Sequence, residues 1–281
     1  MTGPTIQHIS DTARWAAVYR ARETERKNAL FRDPFARRLA GERGEQIAKV
    51  TPFQEYHAYS WVTRTYLFDR IISEQIGQGA DMVVNLAAGL DTRPYRMKLP
   101  ASLKWVEVDL PEILAYKEDL LKTEKPTCPL ERVPADLSST ETRRSLLDRL
   151  AGGSTKALVI TEGLLLYLAA QEVSALAEDL KRYPAFKRWV LDIVSPGLLR
   201  MVQRSTSRQF GARVSPIQFA PEEGPQFLAR YGWNPVEVHS IVKTAAKLKR
   251  LPWFMRLFAL LPENPTSSGS RPWSGVCLFA S

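Results

Sequence analysis

The run Met82-Val83-Val84-Asn85-Leu86-Ala87-Ala88-Gly89-Leu90-Asp91-Thr92-Arg93, followed by Val106-Glu107-Val108-Asp109, constrains this chain more than any other feature. It reads as an apolar strand, a tight turn of small residues, and a second strand that ends in a carboxylate. An open α/β sheet holds a nucleoside in this way. The small turn admits the ligand close to backbone, and the terminal acid accepts hydrogen bonds from two ribose hydroxyls.

The turn also separates nucleoside classes. A dinucleotide calls for Gly-x-Gly-x-x-Gly, because its diphosphate rests on backbone N–H groups at a helix start. Here the turn is Ala87-Ala88-Gly89-Leu90-Asp91, with one glycine and a carboxylate where phosphate would arrive. S-adenosylmethionine carries no phosphate, and its ammonium suits an acid or a backbone carbonyl. The turn therefore favours the sulfonium cofactor, with a nicotinamide-dependent oxidoreductase as the alternative. Asp91 either meets the methionyl end or caps the next helix.

Seven short apolar runs predict strands: Asp81–Ala88, Lys104–Leu110, Leu130–Leu137, Lys156–Thr161, Arg188–Val194, Asn234–Ser240 and Gly275–Ala280. Helical stretches, Pro111–Lys122, Ser138–Leu150 and Gln171–Lys181, alternate with the early runs and imply parallel pairing. Five alternating units and two late strands resemble the Rossmann-like seven-stranded sheet of class I methyltransferases. Ahead of them, Ser10-Asp11, Asp33-Pro34 and Thr51-Pro52 each offer a helix start, the third helix running to Gly77. We read residues 1–80 as a helical N-terminal cap and 81–281 as the α/β domain, with lid insertions at about 196–232 and 241–273.

Composition narrows the class. The 281 residues are 44% hydrophobic and 25% charged, as in globular domains. The polar start carries no secretory signal pattern, and no apolar run approaches the roughly 20 residues that span a bilayer. Cys128 and Cys277 are isolated, each in or beside a separate apparent strand, which speaks against a disulfide framework and against a metal site. A cytoplasmic protein is expected. The net charge of +9 is spread over the chain without a nucleic-acid motif, so a solvated surface is expected and no nucleic-acid partner.

Further acids sit where strands end. Asp109 precedes Leu110-Pro111, so it could hold a ribose, cap a helix, or do both. Asp136, followed by Leu137 and Ser138, could accept from the adenine amino group or cap the next helix. Glu162 follows four apolar residues, where an unpaired carboxylate would be costly. At the open end of a strand it could reach the ligand cleft, with Gly163 turning the chain and Tyr167 facing the same space.

These pieces resemble the leucine carboxyl methyltransferase family, and in particular its bacterial branch that includes polyketide O-methyltransferases. The resemblance rests on Glu25 to Ala36, Arg64-Thr65-Tyr66-Leu67-Phe68-Asp69, Ala88-Gly89-Leu90-Asp91-Thr92-Arg93, Glu107-Val108-Asp109, and Thr161-Glu162-Gly163-Leu164-Leu165-Leu166-Tyr167-Leu168. It implies that Arg64 pairs with the cofactor carboxylate, with Arg22 as a second partner. Ala88, Gly89 and Glu162 would border the methionyl part, Asp109 and Leu110 the ribose, Asp136 and Leu137 the adenine, and Tyr167 the substrate. Glu162 and Tyr167 are the catalytic candidates. The family usually has glycine where Ala87 stands, and the match loosens after Val194.

Methyl transfer from a sulfonium needs alignment and exclusion of water more than proton transfer. The three histidines, His8, His57 and His239, lie in no recognised motif. The expected partner is therefore a small-molecule acceptor such as a carboxylic acid, which needs no base, or an acidic phenol. One segment is ambiguous. Residues 243–261 join basic residues to Trp253, Phe254, Leu257, Phe258 and Leu261, a pattern shared by an interfacial membrane segment and a helix packed over the sheet. We expect the packed arrangement and no membrane contact.

Overall fold

The structure is a computed structural model that describes residues 9–50, 54–206, 217–263 and 271–281. All seven apolar runs form strands of one sheet. They are β1 (Met82–Leu86), β2 (Lys104–Asp109), β3 (Leu130–Pro134), β4 (Ala157–Thr161), β5 (Phe186–Val194), β6 (Asn234–Ser240) and β7 (Ser274–Ala280). The spatial order is β3-β2-β1-β4-β5-β7-β6. Strands β1 to β5 pair in parallel, while β7 runs antiparallel between β5 and β6. The winding direction reverses between β1 and β4, which opens a crevice beyond the strand C-termini.

Ahead of the sheet lie α1 (Ile9–Thr24), α2 (Ala36–Val50) and α3 (Gln54–Gly77). A short α4 (Arg93–Arg96) follows β1, and α5 (Pro111–Leu121), α6 (Thr140–Ala151) and α7 (Ala170–Lys181) connect the parallel strands. Two later helices are α8 (Pro196–Thr206) and α9 (Ile241–Lys247). Local chemistry sets their starts. Pro111 opens α5, Ser139 caps α6 by accepting from the Thr142 N–H, and Ser240 caps α9 by accepting from the Lys243 N–H. The Asp109 carboxylate does not cap α5, whose N-cap is Leu110, and neither Asp136 nor Ser138 is the cap of α6. Asp11 lies inside α1 and pairs with Arg43 at 3.0 Å.

Strands β1 and β4 are buried at every position, because helices cover both faces and consecutive residues are apolar. On one face Trp189 meets Trp233 edge to face at 5.4 Å. Their indole N–H groups donate to Thr161 Oγ1 and to the Ala177 carbonyl. On the other face Leu67, Phe68, Ile71 and Ile72 of α3 pack with Val83, Trp105, Leu158 and Val190. Burying side chains of this kind contributes about 1.5–3 kcal/mol each.

The expectation for residues 243–261 holds only as far as α9, where Ala245 is buried. Helix α9 stops at Lys247, Lys249 takes a left-handed φ of 56°, and Pro252 leads into two short 3₁₀ turns. Trp253, Leu257, Phe258, Leu260 and Leu261 are exposed rather than packed over the sheet. The proline and the left-handed residue interrupt the helical spacing that would have aligned one apolar face.

Candidate active site

The C-terminal ends of β1, β2, β4 and β5 open onto a cavity of about 1060 Å³. Its floor is the turn after β1. Ala87 and Gly89 there adopt left-handed φ values of 55° and 51°. A residue with a Cβ pays about 1–2 kcal/mol in this region, so a backbone requirement explains the glycine expected at position 87.

Asp109 closes the turn. Its Oδ2 accepts from the Gly89 N–H at 2.6 Å and its Oδ1 from the Leu110 N–H at 2.7 Å. Burial raises its pKa, and the two backbone donors oppose that rise. One donor per oxygen leaves each with acceptor capacity for a hydroxyl, the chemistry a ribose requires. The Gly89 N–H, by contrast, is already committed, so the turn does not present that donor to a diphosphate.

Asp91 also borders the cavity, but most of its capacity serves the fold. It accepts from Asn85 Nδ2 at 2.8 Å, from the Arg93 N–H at 2.9 Å and from Arg93 Nη1 at 2.9 Å. Burial alone would raise its pKa, yet Arg93, Lys117 and Arg96 outweigh it and bring the value to about 2. The N-terminal helices join the same network. Asp33 accepts from Arg20 Nε at 2.8 Å and from the Thr92 hydroxyl at 2.7 Å, and Arg20 Nη2 donates to the Leu90 carbonyl at 2.6 Å. Asp69 of α3 accepts from Arg93 at 2.7 Å and from both Arg96 terminal nitrogens at 2.7 Å.

The opposite wall holds the second polar cluster. Arg64 lies 3.1 Å from Glu162 Oε1 and 3.3 Å from Asp192 Oδ2, with its guanidinium 4.7 Å above the Trp61 ring. Burial opposes the Arg64 charge, but Asp192 and Glu162 outweigh it and raise its pKa. Glu162 extends its other oxygen to Arg93 at 2.8 Å, so the carboxylate is doubly paired rather than isolated. Gly163 allows this packing. Its φ is 75°, and an added Cβ would fall 3.3 Å from Arg64 Nη1. The Gly163 N–H in turn donates to Asp192 Oδ1 at 2.6 Å.

Tyr167 lines the cavity next to Arg64 and Asp192. Burial raises its pKa against a hydrogen bond with Thr12, so the phenol stays neutral and able to donate. Asp136, Leu137, Leu110 and Ala88 line the cavity as well. A hydrogen bond from Ser138 lowers the Asp136 pKa. Leu198, Met201 and Val202 of α8, with Ile217 and Met255, make an apolar part of the lining.

Arg22 is not part of this site. It lies outside the cavity lining and pairs with Glu45 at 3.2 Å. Arg20, two positions earlier, is the arginine of α1 that faces the turn. His239 pairs with Glu237 at 2.7 Å away from the lining, and the side chains of His8 and His57 lie outside the described residues. Sequence reasoning missed Asp192, Arg93 and the aromatic wall of Trp15 and Trp61, whose rings lie 5.3 Å apart. Asp192 carries the signal that exposes Glu162, a charge within an apolar strand.

Comparison with known proteins agrees with this geometry. The leucine carboxyl methyltransferase family profile matches residues 13–181. A Frankia alni protein assigned as an S-adenosyl-L-methionine-dependent methyltransferase is 33% identical over 85% of this chain and 88% of its own. A Streptomyces coelicolor protein with the same assignment is 30% identical over 92% of each. A Thermobifida fusca crystal structure, assigned as a methyltransferase, shares the fold at 18% identity with a TM-score of 0.57, covering 99% of this chain and 96% of that one. The chain belongs to the leucine carboxyl methyltransferase family and has the seven-stranded fold of class I S-adenosylmethionine-dependent methyltransferases.

Proposed function

We propose that this S-adenosylmethionine-dependent methyltransferase transfers its methyl group to a carboxylate or hydroxyl oxygen of a small, largely apolar acceptor. The observation that carries the reading is the continuity of one cavity from the strand-end acids to the apolar walls. At about 1060 Å³ it lies at the upper end of the roughly 300–1,000 Å³ typical of ligand pockets. There is room for cofactor and acceptor side by side.

The residues fit the cofactor. Asp109 retains acceptor capacity for the ribose hydroxyls, with Leu110 beside it. Asp136 and Leu137 would frame the adenine. Arg64 is a planar, charged fork suited to the methionyl carboxylate, while Glu162, Asp91 and Ala88-Gly89 border the ammonium end. When bound, the cofactor supplies an electrophilic methyl group on a cationic sulfur. The protein's share is to hold the acceptor in line with that methyl and to keep water out. Tyr167, a neutral donor, would orient the acceptor oxygen, and Glu162 would act mainly by fixing Arg64 and Arg93. Among the described residues that line the cavity none is histidine. A carboxylate acceptor needs no base, which favours acids over alcohols.

We infer that the described N-terminal helices α1 to α3 cap the sheet and that the described parts of 196–232 and 241–273 serve as lids. A cytoplasmic location suits two buried, unpaired thiols, Cys128 and Cys277. Among the described residues no helix is long and apolar enough to cross a membrane.

Incubation with methyl-labelled cofactor and a panel of apolar carboxylic acids and phenols tests the proposal. Methyl ester formation, recognised by alkali-labile label, is the expected result. Label recovered only on nitrogen, sulfur or carbon would overturn it.

A further inference from the structure

Six of the nine large hydrophobic side chains exposed among the described residues fall between Trp253 and Leu261. Trp253 and Leu260 are 80% exposed and Leu257 is 74% exposed. Scattered single exposures are ordinary, but a concentrated patch of this kind marks a surface that something covers. The root of the segment is firmly held. Ile241 and Ala245 are buried, and Arg250 pairs with Glu23 at 2.7 Å with both side chains almost wholly inaccessible. The apolar tip is therefore presented by an anchored element.

Charge identifies the occupant. Lys243, Lys247, Lys249 and Arg256 accompany the patch, and no Asp or Glu occurs between Ile241 and Pro262. A second copy of the chain docking through the same patch would set cation against cation. Single-stranded nucleic acid would suit the charge, but Leu257, Leu260 and Leu261 offer no face on which bases stack. Aliphatic and aromatic side chains flanked by basic residues suit the headgroup and acyl boundary of a bilayer rich in anionic lipid.

We propose that residues 241–262 form a docking surface for an anionic membrane. Met255, in the same turn as Trp253, also lines the cavity. Docking thus turns the apolar end of the cavity toward the lipid.

Flotation of the full chain with phosphatidylcholine vesicles, with and without about 30% phosphatidylglycerol, at about 50 and about 500 mM salt, tests this directly. Binding is expected only with anionic vesicles and should weaken at high salt. The triple variant Trp253→Ser, Leu257→Ser, Leu260→Ser should lower vesicle affinity at least about tenfold, and so should Lys247→Glu with Lys249→Glu. Circular dichroism and S-adenosylhomocysteine affinity should be unchanged in both variants, which separates this surface from the cofactor site. Wild-type chain that does not float, a triple variant that floats equally, or a wild-type dimer that the triple variant dissociates would each overturn the proposal.

Discussion

Lys117 Nζ lies 2.6 Å from Glu107 Oε1, and neither side chain is exposed to solvent. The other Glu107 oxygen receives Arg132 Nε at 3.1 Å. Burial pushes the Glu107 pKa up, and the lysine and arginine oppose it. Glu107 on β2 lies two residues before Asp109, so the pair with Lys117 of α5 braces the strand end that carries the proposed ribose contact. Lys117→Met should destabilise the protein by about 3–5 kcal/mol, because it strands a buried carboxylate. Adding Glu107→Gln should recover part of the loss. Urea unfolding of the single and double variants checks this; a single-variant loss below about 1 kcal/mol would show that the pair is replaceable.

Cofactor affinity should track Arg64, one of the arginines that line the cavity. Arg64→Ala and Asp109→Ala should each weaken S-adenosylhomocysteine binding by about 1–3 kcal/mol, the scale for losing charged hydrogen bonds. Arg22→Ala should leave it unchanged, since Arg22 pairs with Glu45 instead. Titration calorimetry on all three separates a ligand role for Arg64 from a general effect of lost positive charge.

Gly163→Ala should act on the same arginine indirectly. The φ of 75° and the 3.3 Å approach to Arg64 Nη1 mean that the methyl group strains the backbone and pushes the guanidinium aside. Weaker cofactor binding with little change for Arg64→Ala, Gly163→Ala over Arg64→Ala alone is the expected outcome. Additive losses in the double variant would disprove coupling between the two.

Ala87→Gly offers the opposite sign. Relief of the left-handed strain at φ 55° is worth about 1–2 kcal/mol, and the freer unfolded chain returns about 0.4–1 kcal/mol of it. A small net gain should appear as a higher Tm in calorimetric scans. A lower Tm would mean that the methyl group packs usefully.

Asp91 should set part of the acid sensitivity. Its pKa falls from 3.8 unfolded to about 2 folded, so its stabilising contribution is fully present above the unfolded value and is lost as pH drops through the folded one. The amount is roughly 2 kcal/mol. Chemical denaturation between these two pH values should show a shallower pH dependence for Asp91→Asn than for wild type.

The central strands are legible in the sequence because each is a short apolar run, and strand-ending acids stand out against that background. Asp109 and Glu162 are found this way. Asp192 has the same signal, but Ile193-Val194 continue the apolar run past it and disguise it as interior. Arg22 is misassigned because residues two apart on a helix face nearly opposite sides, so Arg20 points to the turn and Arg22 away from it. The partners of Arg93 come from α3, the turn after β1 and the segment just after β4, and no local pattern brings those three together. The direction of β7 is equally hidden, since a strand's composition does not encode which way it runs.

That direction has a consequence for how the chain reaches its native state. Val276, Cys277, Leu278 and Phe279 of β7 are interior, wedged between β5 and β6, yet the ribosome makes them after both. Until then β5 carries an unsatisfied edge and β6 has no neighbour in the sheet, an arrangement that invites intermolecular strand pairing. Nascent chains halted before residue 274 should therefore engage chaperones, and folding yield should depend on how quickly translation passes that point.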